Sequence, residues 1–156
     1  MIVFELIYNL SVLVALSVLS GFIDSRFNRY KVKGKILQGI LFGTTAIIGM
    51  LYPFVLTEGI IFDGRSIVIS LCSLIFGPIS GIIAASMAII YRLYIGGGGV
   101  LMGVLVILSS FLTGYFFYIY RSKKLDKKIN SGQFYIFGLI VHALMLIFVL
   151  TLPSKN

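Results

Sequence analysis

The sequence predicts an all-α fold, a polytopic integral membrane helix bundle with about six helical segments that include a Gly-Pro hairpin. Three observations carry this. Of 156 residues, 59% are hydrophobic and 12% charged, against about 45–50% apolar and about 25% charged in soluble domains. Mean hydropathy is +1.08. Most of the 13 Lys and Arg fall in two short clusters between long apolar runs. One soluble domain could not hide so much apolar surface, which excludes a water-soluble enzyme and makes the lipid bilayer the first partner.

A helix needs roughly 20 apolar residues to cross a hydrocarbon core of about 30 Å. Runs 2–23, 36–56, 100–120 and 134–152 qualify directly. The first is too long for a signal-peptide core, starts without a basic region and ends in GFIDSRFNRY rather than a small-residue cleavage site, so it reads as a retained span. Stretch 66–95 is interrupted at Gly77-Pro78. Proline lacks an amide donor and disfavours helix at the residue before it, so either one kinked helix or a two-helix hairpin follows.

Charge decides between the two. Segment 24–35 carries Arg26, Arg29, Lys31, Lys33 and Lys35, and segment 121–133 carries Arg121, Lys123, Lys124, Lys127 and Lys128. Positive-inside bias places both in the cytoplasm of a multi-pass plasma-membrane protein. The chain must then cross an even number of times between them, which a hairpin allows and a single kinked span does not. Gly77, Pro78 and Gly81 form its inner turn, while Asp63 and the glycine run Gly96, Gly97, Gly98 and Gly99 face outward, as do both termini. The first arm, 66–76, is only about 16 Å of helix, so a full crossing and a re-entrant hairpin both stay open. Orientation accounts for the net charge of +8, and no separate basic domain exists to bind nucleic acid.

Charges beside apolar spans need a reason. Glu58, Asp63 and Arg65 flank the outer end of the first arm, and Arg92 lies near the outer end of the second, before the four glycines. A pairing of Asp63 with Arg92 or Arg65 would staple the hairpin, since Arg can grip a carboxylate with a bidentate fork. The same cluster could line a cavity where a small polar or anionic ligand meets Arg65, Arg92 and glycine amides at the start of the helix at Val100. The two readings are compatible. The glycine run is not a phosphate loop, for no strand precedes it and no Lys-Ser/Thr follows.

Gly103 and Gly114 read as close-packing positions between helices. Glu5 and Asn9 share a face near the outer end of the first span, and snorkelling accounts for Glu5. His142, with no carboxylate or second His within helical reach, reads as an interhelical hydrogen-bonding group rather than a metal ligand. Cys72 is a lone packing thiol, and tyrosines near span ends, such as Tyr8, Tyr52 and Tyr120, form an interfacial belt. No nucleophile set, paired acids or metal spacing is present, so no metal, cofactor or catalysis is expected, and a sensing, binding or transport role is left.

The run from Phe62 to Phe117 resembles the LytS-type five-transmembrane receptor region, on the order acidic-x-Arg, G-P-x-x-G, Arg with a Gly-rich turn, and closing glycines. The residues that carry the resemblance are Asp63, Arg65, Gly77, Pro78, Gly81, Arg92, Gly96, Gly97, Gly99, Gly103 and Gly114. In that family the region is the membrane input module of bacterial sensor histidine kinases, tied to cell-wall control, and of diguanylate cyclases. The resemblance implies a phosphorelay sensor input without its own kinase. It implies a signal ligand, a cytoplasmic kinase or cyclase partner, and room for a homodimer. Residues 36–152 would be the receptor core and 1–23 an extra N-terminal span, with the family's last span missing after LTLPSKN, in one domain over 1–156. The hairpin and glycine turn are also similar to the substrate-binding S components of energy-coupling-factor vitamin transporters. That is the alternative function.

Overall fold

A computed structural model describes residues 2–51, 54–57, 60–62, 64–123 and 131–149. Six helices appear among them: α1 (Ile2–Arg26), α2 (Val32–Leu51), α3 (Arg65–Phe76), α4 (Pro78–Ile95), α5 (Val100–Lys123) and α6 (Ser131–Val149). Between α2 and α3 lie two short strands, β1 (Phe54–Thr57) and β2 (Ile60–Phe62). Ile7–Arg26, Val32–Leu51, Pro78–Ile95 and Val100–Lys123 are long and apolar enough to cross a membrane, whereas Arg65–Phe76 is shorter. The polytopic helical bundle expected from composition is what forms.

Side-chain contacts fix the direction of each helix. Ser80 Oγ donates to Lys35 O at 2.8 Å, while Gly39 meets Ile83 and Gly43 meets Ala84 and Met87. Positions on α2 and α4 rise together, so the two helices run parallel. Against α5 the order inverts: Arg92 meets Gly103, Gly81 meets Phe111, and Gly77 meets Tyr118. Hence α4 and α5 are antiparallel, and the Gly77-Pro78 elbow lies at the same end of the bundle as Lys35 and the C-terminal turn of α5. We call this the basic end. The hairpin expected from charge parity is therefore present, with its elbow level with the basic segments.

The elbow has a local cause. Gly77 takes φ +85°, a conformation that L side chains rarely adopt, and Pro78 starts α4, where its missing amide costs nothing. A Cβ on Gly77 would also lie 2.9 Å from the Tyr118 ring.

Small residues set the spacing of the bundle. Gly39 and Gly43 on α2 are one turn apart and admit α4 through Ser80 and Ala84. Gly114 on α5 receives the Ser70 carbonyl and the Ser73 side chain of α3. In lipid, where apolar surface alone gives helices little reason to associate, such close approach supplies the packing energy. Around α3 the core closes with Phe42, Ile69, Cys72, Phe76, Ala84, Ala88 and Ile107. The ring centroids of Phe42 and Phe76 stand 5.6 Å apart, edge to face. The shortest helix is thus held against other helices, the circumstance in which an incomplete crossing is tolerated at membrane depth.

One boundary differs from expectation. The span expected over 36–56 stops as helix at Leu51, and Phe54, Val55 and Thr57 pair antiparallel with Phe62, Ile61 and Ile60, with a register shift between Val55 and Thr57. Apolarity does not separate strand from helix; the proline at position 53 and the β-branched and aromatic residues on both sides of Glu58-Gly59 do. One ring nitrogen of His142, Nδ1, lies 2.8 Å from the carbonyl of Gly138 on its own helix.

Candidate functional site

The helix rise separates the two ends of the bundle. Gly103 and Tyr118 are fifteen positions apart on α5, so the Arg92 layer stands about 22 Å from the elbow layer. A bilayer core is about 30 Å thick. With the elbow at one interface, Arg92 lies short of the opposite one, at a depth where a guanidinium requires compensation.

Gly103 is what lets it sit there. A Cβ at this position would overlap Arg92 Nε and approach Arg92 Cδ to 3.0 Å, so the arginine stem lies flat on the bare backbone of α5. Arg92 Nε is buried and makes no hydrogen bond among the described residues. One turn earlier on α4, Ala88 is fully buried. Together these position a partly buried cation against the bare backbone of α5, beside a turn whose glycines include Gly96 at φ +72° and Gly97 at φ +91°. Within the turn, Gly96 N donates to Arg92 O at 3.3 Å and Val100 N to Gly97 O at 3.2 Å.

Arg65 opens α3 twelve positions before the elbow and Arg92 follows fifteen after it, which brings both to the same end of the bundle. Arg65 is half-buried. Its neighbour Ser66 is buried and approaches Met145 Sδ at 3.9 Å, so α6 reaches this layer too. Glu58 and Asp63 lie outside the described residues, and with them the Asp63 pairs with Arg92 and Arg65.

A second polar cluster joins residues that are far apart in sequence. At the basic end, fully buried Gln38 receives a hydrogen bond from Ser20 Oγ at 3.0 Å and donates through Nε2 to Ser20 O at 2.9 Å and to Asp24 Oδ1 at 3.2 Å. Asp24 Oδ2 is in turn 2.5 Å from Arg29 Nη2. This network joins α1 to α2. A lone glutamine inside an apolar run was the signal for it, since a buried amide has to find partners on a neighbouring helix.

Among the described residues no group of His, Cys, Asp and Glu could hold a metal ion. A family model described as 5TMR of 5TMR-LYT matches residues 16–156. No curated protein and no solved structure matches the chain.

Proposed function

This chain belongs to the 5TMR-LYT five-transmembrane receptor-region family, and from that premise we propose that it is the membrane input domain of a bacterial two-component or cyclase signalling system. In this reading the protein lies in the plasma membrane with segments 24–35 and 121–133 in the cytoplasm, as their positive charge favours. The Arg92 layer then faces outward. The observation that carries the reading is the arginine folded onto Gly103 with Nε buried and unbonded among the described residues.

A small anionic or polar ligand contacting Arg92 and Arg65 would change how α4 seats on α5. The signal requires two helix packings that the ligand binds unequally, because equal affinity shifts nothing. Arg92 lies in the last turn of α4 and the Gly77 elbow caps its start, so a changed tilt at one end is carried to the basic end. Cell-wall control is part of the same proposal.

Affinity purification of the tagged chain from native membranes tests the assignment. A co-purifying histidine kinase or diguanylate cyclase is the expected result. Co-purification with a transporter ATPase, together with uptake of a labelled vitamin, would replace it with a substrate-capture subunit.

A further inference from the structure

A cleft of about 680 Å³ opens between the last two turns of α5 and the first turns of α6, at the basic end. Its walls include Phe116, Ile119, Tyr120 and Ile136, and its polar residues are Lys123 and Gln133. Phe116 and Ile136 are well exposed, so the cleft opens sideways to the bilayer. Behind it, Phe117 and Phe137 stack edge to face with centroids 5.0 Å apart and close the back.

The chemistry is graded along the membrane normal. Lys123 is the last residue of α5 and Gln133 the third of α6, whereas Phe116 lies two turns deeper, about 10 Å toward the membrane centre. A cation at the surface above an aromatic and aliphatic channel matches an amphiphile with an anionic head and a hydrocarbon tail. Arg121, two positions before Lys123, adds to the positive potential.

We propose that this cleft binds one anionic glycerophospholipid from the surrounding leaflet, its phosphate at Lys123 and Gln133 and an acyl chain along Phe116, Ile119 and Ile136. The site is independent of the Arg92 layer. Basic pockets between membrane helices are suited to phospholipid headgroups, and charge complementarity favours an anionic one over a zwitterionic one.

Native mass spectrometry of the full chain, released from nanodiscs of equal phosphatidylglycerol and phosphatidylcholine, tests this. The wild type is expected to retain one phosphatidylglycerol preferentially. Lys123→Gln should lower that preference about five-fold, the contribution of one lysine near an anionic surface, while Lys31→Gln, at the other basic segment, leaves it unchanged. Ile136→Trp should fill the channel and reduce retention of both lipids. Equal retention of the two lipids by the wild type, or equal losses in Lys123→Gln and Lys31→Gln, would overturn the proposal.

Discussion

Gly114→Ile is expected to prevent assembly of the bundle. A Cβ at Gly114 would overlap the carbonyl oxygen of Ser70 and approach Ser73 Cβ to 2.7 Å. The first of these is backbone, which cannot rotate away. Overfilling a packed core ordinarily costs about 1–3 kcal/mol; here the added branch must separate α3 from α5 outright. Since α3 is too short to cross the bilayer unaided, losing its place against α5 exposes the elbow as well. In detergent, Gly114→Ile should yield aggregate with no monodisperse peak, and Gly114→Ala a folded protein with a lowered melting midpoint. Gly21→Ala supplies the contrast, because no atom lies within 4 Å of a Cβ there.

Arg92→Ala is expected to abolish signalling while the protein still folds. The residue contacts Gly103 through its stem and holds a buried, unbonded Nε among the described residues, so under the proposed function its loss removes the charged contact offered to a ligand. In the native host, a deletion strain complemented with the wild-type gene should recover the wild-type transcript profile, and one complemented with Arg92→Ala should not. Gly103→Leu should have the same effect for a different reason: the side chain occupies the groove and displaces the arginine. Arg92→Lys should recover part of the response, since an ammonium retains the charge without the fork. Full complementation by Arg92→Ala would leave the arginine a merely structural role.

Much of the architecture was legible because its causes are local or additive. Pro78 marks the elbow, and two basic clusters fix the parity of crossings between them. The strands were missed because FVLT and IIF are as apolar as any span. Gly103 illustrates a different limit. A glycine in a membrane helix announces close approach, but what approaches is a tertiary fact: backbone at Gly114, a phenol ring at Gly77 and an arginine stem at Gly103. The role of Gln38 is tertiary for a related reason, as its partners Ser20 and Asp24 lie on another helix.

In the proposed topology the glycine turn and the basic segments occupy opposite faces of the membrane, with the turn outward. Single-cysteine variants in a Cys72→Ser background, probed with a membrane-impermeant maleimide in intact cells, report the side on which each segment lies. Gly98 has open space around it, and Lys31 and Ser122 are exposed. Gly98→Cys should label in intact cells, and Lys31→Cys and Ser122→Cys only after permeabilisation. Labelling of all three from outside, or of Lys31→Cys and Ser122→Cys alone, would overturn this topology.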